Sequence, residues 1–116
     1  MKMGVNLCGV ELKNPVIAAS GTFGFGREYD KFYNVADLGG ISVKGLTRLP
    51  RLGNPPHRIT ETPSGMLNSV GLQNPGVEAF IENDLPWLLE KGAVVVANAA
   101  GSTEDDYCYM AERLSQ

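Results

Sequence analysis

Three short apolar runs predict an α/β fold with parallel strands. They occupy residues 16–19, 40–44 and 93–97, each is followed by glycine or a polar residue, and helix-like segments lie between and after them. Near-continuous apolar strands suit burial on both faces, as in parallel sheets. The order strand, helix, strand, long loop, helix, strand, helix calls for right-handed crossovers. An open doubly wound sheet and a piece of a (β/α)8 barrel both satisfy that order, and both bind ligands at the carboxyl ends of their strands.

The chain begins with two short strands, 5–10 and 11–15, turning around Cys8-Gly9 as a hairpin. After the first apolar run, Ser20-Gly21-Thr22 and the string GTFGFG read as a flexible turn. The string is neither a P-loop nor the dinucleotide fingerprint. Tyr29, Phe32, Tyr33 and Ala36 fall at helical spacing, which predicts a helix over 27–38 ended by Gly39-Gly40. In the second run Ile41 and Val43 share one face and Ser42 and Lys44 the other, with Lys44 at a rim. Residues 47–67 form a long proline-rich segment, within which 58–62 reads as one arm of a hairpin. Asn74 as N-cap and Pro75 in the first turn predict a helix from Val77, carrying Phe80, Ile81, Leu85, Leu88 and Leu89. Pro86 interrupts it, so Asp84 recaps a second short helix that Lys91-Gly92 closes. After the third run, Ser102-Thr103-Glu104-Asp105 reads as a capping box for a last helix with Tyr107, Met110, Ala111 and Leu114 on one face.

Composition narrows the function. The 116 residues suffice for one small domain with a core. Hydrophobic residues are 43% and charged residues 20%, ordinary for a globular protein. A net charge of −3 lacks the electrostatic footprint of a nucleic-acid binder. No apolar run approaches the ~20 residues of a membrane helix, and the first residues lack a signal peptide's apolar run. Cys8 and Cys108 have neither a CxxC spacing nor a histidine neighbour, so they read as two buried thiols, and the single His57 cannot build a metal site.

The chemistry-bearing groups gather at predicted strand ends: Ser20, Lys44-Gly45 and Asn98. The stretch Asn68 to Gly76 adds a polar, glycine-punctuated loop next to a helix entrance whose N–H groups favour an anion. Each feature has a plainer counterpart: a helix-entry serine, a solvated rim lysine, a turn asparagine and a well-capped connector. Three polar strand ends on one side of such a fold favour a ligand site. The set holds no Ser/His/Asp arrangement, no paired carboxylates and no metal cluster. One cation, the amide and hydroxyl groups of Asn68, Ser20 and Asn98, and the backbone donors of Val70, Gly71 and Leu72 orient a planar anion. They leave the hard chemistry to a bound cofactor. Two competing readings stand beside this one. Lys44 suits the Schiff-base nucleophile of a (β/α)8 lyase, open to borohydride trapping with a carbonyl substrate. Outside the enzymes, the chain suits an inactive, interaction-only piece whose open sheet edges associate.

The strings NPVIAASGTFGFG (14–26), GGISVKGLT (39–47), PRLGNPPHRITETPSGMLNSVGLQNPG (50–76) and VVANAAG (95–101) resemble the catalytic subunit of dihydroorotate dehydrogenases. The form GLQNPG is similar to the NAD-linked bacterial branch of the cytosolic class. Pro55-Pro56-His57 departs from the family's three prolines, at a position expected in a surface loop. The resemblance implies the N-terminal portion of a (β/α)8 TIM barrel with an N-terminal β-hairpin. Residues 1–116 would be a single partial domain of about three βα units. It implies FMN-dependent oxidation of dihydroorotate to orotate in pyrimidine biosynthesis, in the cytoplasm. Ser20, Lys44, Gly45 and Asn98 match flavin contacts. Lys44, Asn68, Ser69, Val70, Gly71 and Leu72 match substrate contacts. A homodimer and an electron-transfer partner subunit carrying FAD and a 2Fe-2S cluster are also implied. Neither Cys8 nor Cys108 matches the family's cysteine base, so no catalytic base is expected before Gln116, and a fragment of this length alone is expected to lack stable FMN and turnover.

Overall fold

A computed structural model describes residues 3–116. The central sheet has three strands, β3 (Ile17–Ala18), β4 (Gly40–Ser42) and β7 (Val95–Val96), in the order β3-β4-β7. Both pairings are parallel, with Ala18 opposite Ile41 and Ile41 opposite Val95. The β4–β7 pairing continues past the strands: Leu46 N–H donates to Asn98 O and Ala100 N–H donates to Leu46 O, each at 2.8 Å. The α/β class and all three apolar runs are therefore as expected, with shorter strands. Burial on both sides is not general. Val16, Ile17, Val96 and Ala97 are exposed because β3 and β7 are outer strands, each with a strand neighbour on one side only.

The core forms against one face of β4. Ile41 and Val43 are fully buried and cluster with Val77 and Phe80 of α2 (Val77–Asn83), Leu88 of α3 (Leu85–Glu90) and Met110 of α4 (Glu104–Leu114). The Phe25 ring packs on Phe80 at 5.2 Å between centroids. Emptying a buried aromatic such as Phe80 costs about 3–5 kcal/mol. Ser42 and Lys44, on the alternate side of the strand, are half-buried, as the period of two requires.

Two hairpins flank the sheet. β1 (Val5–Leu7) and β2 (Val10–Leu12) pair antiparallel around Cys8 and Gly9. Both turn residues have positive φ (51° and 90°), the backbone a two-residue hairpin loop needs. β5 (Ile59–Thr62) pairs with β6 (Gly65–Asn68), so the expected arm exists and its partner is the segment leading to Asn68.

Several expectations need correction. No helix runs over 27–38. A single turn, α1 (Ser20–Phe23), is followed by two 3-10 turns at Tyr29–Lys31 and Val35–Asp37. Polar side chains intercept the backbone donors that a continuous helix would use. Asp30 Oδ1 accepts from Val35 N–H at 3.4 Å and Asn34 Oδ1 from Ala36 N–H at 3.1 Å. Phe32 is consequently 84% exposed, while Val35 and Ala36 are buried. Gly39 is not a helix terminator: a Cβ there would lie 1.9 Å from the Asn14 carbonyl oxygen, so glycine permits a backbone crossing. Asn74 and Pro75 precede the helix, because Gly76 (φ 85°) is the N-cap of α2. Asp84 stands at the N-cap of α3, yet its carboxylate accepts from Arg27 Nε at 2.7 Å instead of capping. The capping box is Thr103 with Asp106, one residue later than read. On α4, Tyr107 and Ala111 are exposed, and Met110 and Leu114 turn inward with Tyr109. Cys8 and Cys108 are free and exposed, not buried, since one lies on the hairpin turn and the other on the outer side of α4.

α2 and α4 are joined by a polar clasp. Glu78 accepts from Arg113 Nε and Nη2 and from the Tyr109 hydroxyl, each at 2.7 Å. The Arg113 bonds, then that of Tyr109, pull the Glu78 carboxyl down to about 2. A depressed carboxyl contributes stability that is present above its ordinary value and lost as pH falls through the folded one. Between about pH 4.5 and 2 the thermal midpoint should therefore fall, and it should fall less in Glu78→Gln, followed by circular dichroism. An identical profile in the variant would contradict this role.

Candidate functional site

The strand ends converge as parallel pairing dictates. Ser20 opens α1 directly after β3, Lys44 and Gly45 follow β4, and Asn98 follows β7. Asn98 Nδ2 donates to Ser20 Oγ at 3.2 Å, tying the two outer ends across the middle one. Lys44 N–H donates to Gly24 O at 3.1 Å, which anchors the strand end to the glycine turn. The Lys44 ammonium makes no ion pair among the described residues, although it is half-buried at the rim.

Gly45 is where the loop meets the sheet. A Cβ on it would sit 2.8 Å from Leu72 Cδ1 and 3.7 Å from Asn98 Nδ2. Ser20, Gly45, Leu72 and Asn98 are thereby brought together. Asn68 and Ser69 lie at the end of β6, and no hydrogen bond joins their side chains to that group. The N–H groups of Val70, Gly71 and Leu72 have no acceptor among the described residues. The entrance of α2 is different. Gly76 N–H donates to Asn74 Oδ1 and Val77 N–H to Thr47 O, each at 2.9 Å. Those two donors at the helix start are therefore taken, whereas the three of 70–72 are not.

A second layer shapes this loop. Asn54 N–H donates to Val70 O at 2.9 Å and Asn54 Nδ2 to Ser69 O at 2.8 Å. Arg58 donates to Leu52 O at 3.2 Å, to Asn54 O at 3.1 Å and to Gln73 Oε1. Gly71 (φ 79°) lies against Asn54, where a Cβ would meet the amide at 2.9 Å. Sequence reasoning missed Asn54, Arg58, Thr47 and Gly53, and took Asn74 for a cap. The glycine within Leu52-Gly53-Asn54-Pro55 was the available signal, since such a glycine marks a close backbone approach. Among the described residues, no group of three His, Cys, Asp or Glu side chains could hold a metal ion. Chemically the site offers donors and one cation, suited to binding and orienting a planar anion.

The fold and the candidate site define an α/β protein whose polar groups Ser20, Lys44 and Asn98 stand at the carboxyl ends of parallel strands. The family model described as dihydroorotate dehydrogenase matches residues 2–116, and the chain belongs to that family. It is 56% identical over 114 residues to the dihydroorotate dehydrogenase B (NAD(+)) catalytic subunit of Thermoanaerobacter pseudethanolicus, covering 98% of this chain and 38% of the relative. The subunits of the same name from Geobacillus kaustophilus and Latilactobacillus sakei are 51% and 54% identical, covering 99% and 97% of this chain. The chain therefore spans somewhat over a third of the length of these relatives, 37% for both of the latter. Among solved structures, the dihydroorotate dehydrogenase of Eimeria tenella in complex with ferulenol shares the fold, with a TM-score of 0.68 at 23% identity over 97% of this chain and 33% of that one.

The contact between loops 52–58 and 69–73 generates a stability prediction. In Gly53 (φ 77°) a Cβ would lie 2.2 Å from the Val70 carbonyl oxygen. Gly53→Ala should destabilise the protein by about 1–3 kcal/mol in urea unfolding and accelerate amide exchange at Asn54, whose N–H donates to Val70 O. Gly21→Ala, which meets nothing within 4 Å, is the control and should stay within ~1 kcal/mol of the parent.

Proposed function

We propose that this chain supplies the flavin-facing and substrate-holding part of a dihydroorotate dehydrogenase, oxidising dihydroorotate to orotate in pyrimidine biosynthesis. The observation that carries the reading is the meeting of three things at Gly45: the adjacent Lys44, which has no ion pair among the described residues, the Asn98–Ser20 amide–hydroxyl pair, and a loop whose 70–72 N–H groups have no acceptor among the described residues. The donor chemistry also fits FMN. Glycine at 45 lets Leu72 and the Asn98 amide close on the strand end next to Lys44, and Asn98 is in turn bonded to the Ser20 hydroxyl. In this reading Ser20, Lys44, Gly45 and Asn98 hold the flavin, and FMN when bound supplies the hydride-accepting ring.

The chain's own residues do the positioning. Lys44 neutralises the substrate carboxylate, and the Asn68 side-chain amide donates to the same ring. The N–H groups of Val70, Gly71 and Leu72 and the Ser69 hydroxyl complete the donor set. Fixing the orientation of two rings before reaction removes much of the entropic barrier to their encounter. A cation at the strand end also favours developing negative charge on a bound ring. The proton-accepting base is not among these residues. The parent architecture in this reading is a (β/α)8 barrel, to which residues 1–116 contribute about three βα units as one partial domain. The words "catalytic subunit" in the relatives' names support a partner subunit, and in this reading it transfers electrons through FAD and a 2Fe-2S cluster while this chain forms a homodimer. No described helix is long and apolar enough to cross a membrane, and the reading places the enzyme in the cytoplasm.

Removing a charged hydrogen-bond donor from a ligand costs about 1.5–3 kcal/mol. Lys44→Ala in the full-length, flavin-loaded polypeptide should therefore lower kcat/KM for dihydroorotate by roughly 10- to 150-fold. Steady-state kinetics near those of the parent would refute the assignment.

A further inference from the structure

Asn74 is the only polar or charged side chain in the core among the described residues, at 6% exposure. Its amide is fully engaged. Oδ1 accepts from Thr47 N–H at 3.0 Å and from Gly76 N–H at 2.9 Å. Nδ2 donates to Leu72 O at 2.9 Å and to Thr47 Oγ1 at 3.0 Å. The Thr47 hydroxyl spends its one proton on Leu49 O at 2.6 Å, so towards Nδ2 it is an acceptor. With two N–H groups on one side and two oxygens on the other, the amide has a single workable orientation. The main chain of Asn74 also exchanges both bonds with Arg51, at 2.9 Å each.

These bonds connect two parts of the site. Thr47 lies three residues beyond Lys44 on the continuation of β4. Leu72 closes the donor loop in the left-handed region (φ 56°), which a leucine rarely occupies. The bond from Asn74 Nδ2 to the Leu72 carbonyl holds that conformation, in which Leu72 Cδ1 reaches Gly45. We infer that Asn74 is a positioning residue for substrate binding, its amide registering the 70–72 donors against the Lys44 end of β4. The inference rests on the reading of 70–72 as the orotate-holding loop.

Asn74→Asp is the discriminating variant. It keeps an oxygen for the Thr47 and Gly76 N–H groups, and it sets a second oxygen against the Leu72 carbonyl. In the full-length, FMN-loaded polypeptide, orotate Kd by calorimetry and KM for dihydroorotate should rise about tenfold, ~1.4 kcal/mol. FMN content should be unchanged, and kcat should stay within about threefold. A purely structural role would lower the thermal midpoint while leaving the orotate Kd of the folded fraction unmoved, and that result overturns the inference. Should Asn74→Asp not fold, Thr47→Val removes only the hydroxyl partner, and its Kd should rise about threefold; parental affinity in it likewise overturns the inference. If the parent itself binds no orotate, the functional reading fails and the inference falls with it. If the parent binds and the variants bind equally, the inference alone fails.

Discussion

Strand β4 presents two chemically opposite faces, and its hydrogen bonding to β3 and β7 keeps them from exchanging. Ile41 and Val43 fill the core against α2, α3 and α4, while Ser42 and Lys44 alternate to the other side. A slip of one residue would drive Lys44 into the apolar cluster and Val43 out of it. Burying an unpaired ammonium costs far more than any local rearrangement recovers. Parallel bonds on both edges, with Ala18 and Val95 flanking Ile41, make that slip require breaking both pairings at once. The location of Lys44 at a rim is therefore a consequence of packing on the opposite face.

From that strand end outward, the site is built mostly from backbone. Gly45, Gly53 and Gly71 each allow a contact that a side chain would block: with Leu72, with the Val70 carbonyl and with Asn54. Around them Asn54 and Asn74 take up the carbonyls of Ser69, Val70 and Leu72, while the N–H groups of 70–72 have no acceptor among the described residues. A loop with three of its carbonyls taken up and three consecutive N–H groups free among the described residues favours anions without carrying a formal charge.

The apolar runs make the three strands legible, and their polar ends mark Ser20, Lys44 and Asn98. The helices after Val77 were also legible, down to the break at Asp84 and the proline in the first turn of α3. Periodicity misled at 27–38, because Asp30 and Asn34 offer the backbone local partners that compete with helical ones. It misled again on α4, where bonds from Arg113 and Tyr109 to Glu78 place those residues toward α2 while Tyr107 faces solvent. The cysteines were misjudged because burial was inferred from residue type, and both happen to lie on outer positions.

By itself the sequence determined the α/β class, the alternation that sends Lys44 away from the core, and the motifs by which the family is recognised. These depend on local periodicity and on short strings of residues, which need no knowledge of what lies opposite. Only the tertiary structure decided that Asn74 is a buried bridge instead of a helix cap, and that Gly53 and Gly71 are contact points. The physical reason is that Thr47 and Asn74 are 27 positions apart in the chain. Whether a polar side chain caps its own helix or clasps a distant strand depends on which donors folding brings within about 3 Å, and no local pattern carries that information.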